Sequence, residues 1–235
     1  MDDQSQVYID QVVDNGTIDK IFNHIEELKQ EVRRLKEVKQ PKLANPAAVG
    51  LAGFGLTTLL LQFHNIGWMS DLAPVVCCGL FFGGLAQTIS GLQEFYTGNN
   101  FGYSAFTTYG AFWMSLALLL ILKQLKIYGV NEETVGYFML GFTLYTVVIT
   151  IASACVSLAL FVTFALLTVG FIFLDVSHLC AWPAGNQIAG WVLLFCALAA
   201  WYNMLHVVYN DTFKANVLPV GPAPVALIKN RLIRS

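Results

Sequence analysis

Residues 135–174 read VGYFMLGFTLYTVVITIASACVSLALFVTFALLTVGFIFL, a run of about 40 residues with no charged side chain and no proline. As a single helix this run would be about 60 Å long, roughly twice the apolar thickness of a bilayer. It is therefore predicted to be a hairpin of two membrane-spanning helices. The predicted turn lies at the small and hydroxyl-bearing residues Ser153, Ala154, Cys155 and Ser157.

Further apolar stretches of bilayer-spanning length lie on both sides of this hairpin. Apolar residues make up 56% of the chain, and the 12% of residues that are charged are about half the fraction usual in soluble proteins. We therefore predict an all-α polytopic membrane protein with six transmembrane helices. The predicted spans are Ala47–Trp68, Leu72–Gln93, Ser104–Leu122, Val135–Ser153, Ser157–Leu174 and Ile188–Val208.

The distribution of lysine and arginine predicts the orientation of these spans. Both the segment before the first span and the tail after the last span are rich in Lys and Arg, and Lys123 with Lys126 form the only competing loop cluster. Because positive charge stays on the cytoplasmic side and six spans place both termini on one side, we expect both termini in the cytoplasm of a protein of the cell membrane.

The chain opens without a basic start or an early apolar run, so the first span is expected to direct insertion. The predicted organisation is 1–42 cytoplasmic segment, 43–210 transmembrane domain and 211–235 cytoplasmic tail.

The N-terminal segment carries a second pattern, a heptad repeat. Over residues 17–38, apolar side chains recur with gaps of 3, 4, 3, 4 and 3, and charged side chains occupy the outer face. This spacing predicts a coiled-coil helix through which several copies of the chain associate. An amphipathic helix lying on the membrane surface is the alternative, but its apolar stripe would be broader and follow a 3.6-residue period. The repeat positions are Ile18, Ile21, Ile25, Leu28, Val32 and Leu35.

Several function classes are disfavoured by composition and spacing. Outside the N-terminal helix no basic stripe suits nucleic acid, and the spans contain no nucleophile–base pair of the kind that an intramembrane enzyme needs. The cysteines show no CxxC or Cys/His spacing, so no zinc site or redox pair is predicted, and no metal or cofactor is expected. The chain is therefore not expected to be an enzyme. The five cysteines are interpreted as helix-packing residues: Cys77, Cys78, Cys155, Cys180 and Cys196.

Two local motifs mark the first two spans. Asn45-Pro46 is a favourable helix start, with an asparagine cap before a proline that lacks an amide, and such an N-terminus suits a carboxylate. Glycine is frequent, and Gly79 with Gly83 forms a GxxxG pair that permits close helix approach. The glycines predicted to serve helix packing are Gly50, Gly53, Gly79, Gly83 and Gly84.

Ionisable side chains near the ends of the spans are further candidates. His64, Glu94, Asp175 and His206 lie there, and each has an ordinary interpretation as an interface anchor. We select Glu94 and His64 as candidates for proton coupling. Glu94 is the stronger of the two because it directly follows the glycine-rich second span.

These motifs together resemble the acetate uptake transporter family. The family's signature at the first span is similar to residues 45–51 (NPAAVGL), with Ala48 in place of a second proline, and the heptad segment lies outside the family pattern. The resemblance covers about residues 43–221. It continues through 53–55 (GFG), 57–58 (TT), 64–65 (HN), 83–87 (GGLAQ), 91–94 (GLQE), 98–102 (GNNFG), 105–113 (AFTTYGAFW) and 218–221 (LPVG).

The resemblance implies six transmembrane helices per subunit, a hexamer, and a separate path through each subunit for acetate and related short carboxylates such as succinate. It also implies a narrow apolar constriction, which falls on Phe54, Tyr109 and Leu167. Uncharged polar side chains near such a path can hydrogen-bond a carboxylate without a buried counter-charge, and weak binding favours fast passage. The candidates are Asn45, Thr57, Thr58, Gln87 and Thr108.

The sequence leaves the mode of transport open between a channel-like path and a proton-coupled carrier. A pore for a small neutral solute such as ammonia or water is an alternative that also suits an aromatic constriction. A non-transporting membrane scaffold organised by the N-terminal coiled coil is another.

Overall fold

A computed structural model describes the backbone of residues 15–37 and 43–234, and the side chains of residues 18–33 and 43–229. The regular structure of these described residues is entirely helical. The helices are α1 (Asn15–Glu37), α2 (Ala47–Asn65), α3 (Ala73–Thr97), α4 (Asn100–Gln124), α5 (Glu132–Ser153), α6 (Leu158–Leu179), α7 (Pro183–Phe213) and α8 (Pro224–Arg234).

Helix α1 belongs to a separate unit, residues 1–44, and is described by itself. The heptad side chains of Ile21, Ile25, Leu28 and Val32 are between 40 and 55% exposed, so the predicted apolar stripe is uncovered within this chain. The side chain of Leu35 and the whole of Val38, the last residues of the heptad segment, lie outside the described residues. The coiled coil stays a prediction.

The second unit, residues 45–235, contains the six helices that are long and apolar enough to span a bilayer, α2 to α7. The prediction of an all-α protein with six spans is confirmed. The uncharged run divides as expected: α5 ends at Ser153 and α6 begins at Leu158. The Ser157 hydroxyl accepts a hydrogen bond from the Leu160 amide (3.2 Å), which caps the new helix.

The six spanning helices pack as a ring. Helix α7 packs along α2 on one side and α6 on the other, α6 packs on α5, and α2 packs on α3, which packs on α4. Where α4 meets α5, the ring closes with much sparser backbone contact. The interior of this ring is enclosed by the six helices, and it is where a path across the membrane would run.

A π turn in α3 accompanies a close approach between α2 and α3. The turn spans Phe81–Ala86, and a Cβ on Gly53 of α2 would lie 2.5 Å from the Phe82 carbonyl oxygen. A Cβ on Gly83 would likewise meet the Thr57 side chain. Only glycine fits at these two positions, because backbone and a buried side chain already occupy the space. Similar close approaches surround Gly50 (Ser90, Phe106), Gly79 (Trp113, Ala117) and Gly84 (Met114 and the Gly79 carbonyl).

The segment after α7 returns to the bundle. The Tyr202 hydroxyl donates to the Pro219 carbonyl (2.6 Å), and the Ala159 amide donates to the Val220 carbonyl (2.9 Å). This segment and the spanning helices form one compact unit, although the sequence analysis treated residues 211–235 as a tail. Helix α7 also continues to Phe213, beyond the predicted end of the last span.

Substitution of Gly53 by alanine is expected to lower the melting temperature in detergent, because the Phe82 carbonyl cannot withdraw without moving α3. Overpacking of this kind costs about 1–3 kcal/mol. Gly141→Ala on α5 is the matched control, since a Cβ there meets nothing within 4 Å and alanine favours the helix. Melting is measured by circular dichroism. Equal melting temperatures for the two variants would contradict the close approach.

Candidate functional site

Three cavities follow one another through the ring of helices. The large cavity has a volume of about 310 Å³, the small void about 10 Å³ and the far cavity about 220 Å³. Phe54 and Leu167 line both the large cavity and the small void. Leu61, Met139 and Leu174 line both the small void and the far cavity. The three cavities therefore adjoin one another in series, and Phe54 and Leu167 lie where the large cavity meets the small void.

The three side chains of the predicted constriction lie together at this junction, which we call the narrow point. Tyr109 borders the large cavity, and its ring meets Phe54 edge-on with the centroids 5.8 Å apart. Leu167 and Tyr109 are each 2% exposed and Phe54 is 7% exposed. Phe164 adds a fourth apolar side chain, with its ring centroid 6.0 Å from that of Tyr109. The narrow point is thus lined by apolar and aromatic groups.

The Tyr109 hydroxyl is held by α5 across the sparsely packed side of the ring. It lies 2.8 Å from the Thr146 hydroxyl, which is also 2.7 Å from the Phe142 carbonyl. A carbonyl only accepts, so Thr146 donates to Phe142 and must accept the Tyr109 proton. The Tyr145 hydroxyl donates to the Ser104 carbonyl (2.9 Å) across the same seam. Tyr109 therefore has no hydroxyl proton left for a solute and offers only oxygen lone pairs.

Two of the predicted substrate-binding side chains line the path. Gln87, which is 1% exposed, borders the large cavity, and its Oε1 is buried without a hydrogen-bond partner in the described chain. Thr58 borders the small void, and its Oγ1 is likewise unpartnered. Unpartnered buried polar atoms are costly, so a solute that supplies the missing hydrogen bonds would be favoured at these two places.

The other three predicted substrate-binding residues lie away from the cavities. Thr57 packs against Gly83 of the π turn, and Thr108 is half-buried; neither borders any of the three openings. Asn45 is exposed, and its Oδ1 accepts the Ala47 amide (3.0 Å), so it caps α2 as expected. That oxygen is engaged by its own helix and is not placed to meet a solute in the cavities.

Glu94 lies beside the large cavity, behind Asn99. It is 2% exposed, and its Oε2 accepts from Asn99 Nδ2 (2.8 Å); the Thr97 hydroxyl, which donates to the Glu94 carbonyl (2.9 Å), lies 3.3 Å from the same oxygen. Asn99 borders the cavity and caps α4 by accepting the Gly102 amide (3.1 Å). The second carboxylate oxygen of Glu94, Oε1, is buried without a partner in the described chain.

His64 lies at the opposite end of the path, on the far cavity. Its Nδ1 donates to the Met69 carbonyl (3.1 Å). The same cavity is bordered by a charged group that sequence reasoning missed: Glu132 contacts Lys123 at 2.6 Å and His178 at 3.0 Å. Lys123 reaches the cavity because α4 continues to Gln124, beyond the predicted span.

A polar group on the large cavity was not predicted from the sequence. Asn203 and Thr163 border it together, with Asn203 Nδ2 donating to Thr163 Oγ1 (3.1 Å). His206, one of the four ionisable candidates near the span ends, borders it as well. One signal was available, since Asn203 is the only amide side chain between Ile188 and Val208 and polar groups at membrane depth are functional by default. Among residues with described side chains, no group of three or more His, Cys, Asp or Glu is placed to hold a metal ion.

Comparisons with known proteins agree with one another. The family model described as "GPR1/FUN34/yaaH family" matches residues 27–225. The "Succinate-acetate/proton symporter SatP" of Escherichia coli K12 is 36% identical over 181 residues, which cover 77% of this chain and 96% of that protein. A solved structure titled "Structure of the bacterial acetate channel SatP" matches with a TM-score of 0.74 over 77% of this chain and all of that one. "Ammonia transport outward protein 2" of Saccharomyces cerevisiae is 33% identical over 170 residues, covering 69% of this chain and 60% of that protein.

Substitution of Thr146 by valine is expected to be more destabilising than substitution of Tyr109 by phenylalanine. Thr146→Val leaves the buried Tyr109 hydroxyl without an acceptor, which costs about 1–3 kcal/mol. Tyr109→Phe removes the hydroxyl and leaves Thr146 bonded to Phe142, at a net cost of about 0.5–1.5 kcal/mol. Melting temperatures in detergent test the order. The double variant is expected to be more stable than Thr146→Val alone, and a purely additive loss would argue against the bond.

Proposed function

Because the chain belongs to the GPR1/FUN34/yaaH family, we propose that it transports acetate and related short carboxylates across a membrane. The observation that carries the proposal is the series of three adjoining cavities, with Phe54, Tyr109 and Leu167 together at the narrow point. A path of this kind within a single subunit needs no partner chain to enclose it.

The narrow point supports selection by size and polarity. Phe54, Tyr109 and Leu167 present apolar surface to the methyl group of acetate, while the void beyond them is too small for a hydrated solute. On either side, Gln87 and Thr58 supply polar atoms without partners. A carboxylate group only accepts, so it can receive hydrogen bonds from Gln87 Nε2 and from the Thr58 hydroxyl as its methyl group passes the rings.

Proton coupling is proposed to occur at the two ends of the path, where Glu94 and His64 lie. Glu94 contacts Asn99, which borders the large cavity, and His64 borders the far cavity directly. Neither residue borders the small void, so a proton would be exchanged at the ends and not at the narrow point. The relatives include one named a proton symporter and one titled a channel, and the proposed path is compatible with either mode.

The remaining parts of the proposal concern location and assembly. The chain is a multi-pass membrane protein, and we propose that it lies in the cell membrane with both termini in the cytoplasm, as the Lys and Arg distribution indicates. We further propose a hexamer whose N-terminal helices associate through the exposed heptad stripe of α1. No enzymatic activity is proposed.

A path for a small neutral solute is the second candidate. It is favoured by the similarity to a protein named for ammonia transport and by the apolar character of the narrow point. Ammonia and water can also hydrogen-bond to the unpartnered Gln87 and Thr58 oxygens, so the uptake of labelled acetate, and not these side chains, separates the two candidates.

Labelled acetate uptake into liposomes that contain the purified protein tests the proposal. The pH gradient and the membrane voltage are set independently. Uptake above that of empty liposomes is expected for the parent protein; flux that saturates and follows the pH gradient indicates a carrier, and flux that follows voltage alone indicates a channel. Phe54→Ala is expected to raise the ratio of longer-carboxylate uptake to acetate uptake by at least about tenfold, because it removes a ring from the narrow point. Phe213→Ala, whose ring is 62% exposed, is the control. Absence of acetate flux under either force would overturn the proposal.

Removal of residues 1–44 tests the role of α1 in the same assay. We expect acetate flux to be retained, because all three cavities are lined by residues of the second unit. The assembly measured by light scattering is expected to become smaller or less stable. Complete loss of flux with an intact assembly would instead favour a scaffold role for the N-terminal helix.

A further inference from the structure

Asn203 offers the large cavity a hydrogen-bond acceptor and no donor. Its Nδ2 donates one hydrogen to Thr163 Oγ1 (3.1 Å) and the other to the Ala199 carbonyl (2.9 Å). A carbonyl oxygen only accepts, so the atom facing Ala199 must be the amide nitrogen, which fixes the orientation of the side chain. The Thr163 hydroxyl in turn donates to the Ala159 carbonyl (2.9 Å). Asn203 Oδ1 is left as the polar atom of this pair without a protein partner.

Gln87, on α3, supplies a complementary donor to the same cavity. Its Oε1 is buried, and its amide makes no hydrogen bond within the described residues, which leaves the Nε2 hydrogens free. Tyr109, at the entrance to the narrow point, contributes only oxygen lone pairs because its proton goes to Thr146. The described lining of the cavity therefore presents the Asn203 and Tyr109 acceptors together with the Gln87 amide, which can both donate and accept.

Positive potential at the large cavity comes from the N-termini of α2, α4 and α6, which border it at Ala47, Asn99 and Ser157. Within the described residues that line it there is no Lys or Arg. The titratable groups that border it are Tyr109 and His206; Glu94 lies behind Asn99, and Cys196 lies behind Thr163, to whose carbonyl its thiol donates. His206 Nδ1 donates its hydrogen to the Leu218 carbonyl, and Asn210 Nδ2 lies 3.4 Å from its Nε2, so both ring nitrogens have neighbours within the fold. A carboxylate beside Asn203 Oδ1 would place two acceptors against each other.

We infer that the large cavity selects the carboxylic acid in its protonated, neutral form. Asn203 Oδ1 accepts the hydrogen bond of the acid O–H, and Gln87 Nε2 donates to the acid carbonyl. This inference rests on the proposed function and specifies the species that enters the narrow point. The proton then travels on the substrate itself, so the apolar ring of Phe54, Tyr109 and Leu167 never has to accommodate a charge. Asn203 becomes a specificity-determining residue.

Three small probes of similar size separate the two protonation states. Acetamide is permanently neutral and carries both an N–H donor and a carbonyl acceptor, as the neutral acid does. Methyl acetate has the carbonyl but no donor, and methanesulfonate is an anion at all relevant pH values. Each probe is added to both sides of the liposomes, and its inhibition of labelled acetate uptake is measured with the parent protein.

We expect acetamide to inhibit about three- to tenfold more strongly than methyl acetate, the factor that corresponds to one neutral hydrogen bond. We expect methanesulfonate to be the weakest of the three. Equal inhibition by acetamide and methyl acetate, or strongest inhibition by methanesulfonate, would overturn the inference and leave acetate transport intact. Absence of acetate uptake by the parent protein would instead reject the proposed function.

Asn203→Leu removes the acceptor at nearly constant volume and tests the residue itself. The preference for acetamide over methyl acetate is expected to disappear in this variant. Met204→Leu, one position further along α7, is the matched control for changes in packing, and it is expected to keep the preference. Retention of the preference in Asn203→Leu would show that another group receives the acid proton. The comparison of probes on the parent protein stays decisive even if Asn203→Leu folds poorly.

Discussion

The hydrogen bond from Tyr109 to Thr146 closes the ring of helices where its packing is sparsest. Helices α4 and α5 share little backbone contact, and the Tyr109 and Tyr145 hydroxyls bridge them. The same bond holds the Tyr109 ring against Phe54 and directs its proton away from the path. One interaction thus completes the bundle, forms the narrow point and sets the chemistry that this point presents. In lipid, where no water competes, such a bond keeps a buried hydroxyl satisfied.

Close packing on one side of the ring accompanies the opening within it. Gly53 and Gly83 bring α2 against the π turn of α3, so that Gln87, one residue after that turn, borders the large cavity. The Thr57 side chain packs on Gly83 in this approach, whereas its neighbour Thr58 borders the small void. The glycines therefore act on transport indirectly, through the placement of these two polar side chains.

The ends of the path differ from its centre in charge. The far cavity carries Lys123, Glu132 and His178, and the large cavity lies next to Glu94, but the small void is bordered by apolar residues with Thr58 and Gln62. A charge is most costly where the path is narrowest and driest. If the substrate is protonated before it reaches the narrow point, it can pass there although no cation lines the centre of the path.

Length and hydropathy alone determined the six helices, including the division of residues 135–174 into a hairpin, because a bilayer permits only spans that satisfy their own backbone. The motifs also led to Phe54, Tyr109 and Leu167, which do lie together. Which polar side chains face the path was decided only by the tertiary structure. Thr57 and Thr58 are adjacent in sequence yet only Thr58 borders an opening, and Asn203 was overlooked until α6 and α7 brought it beside Thr163. Hydropathy is a property of a segment, whereas the orientation of one side chain depends on the rotation of its helix against neighbours that are distant in sequence.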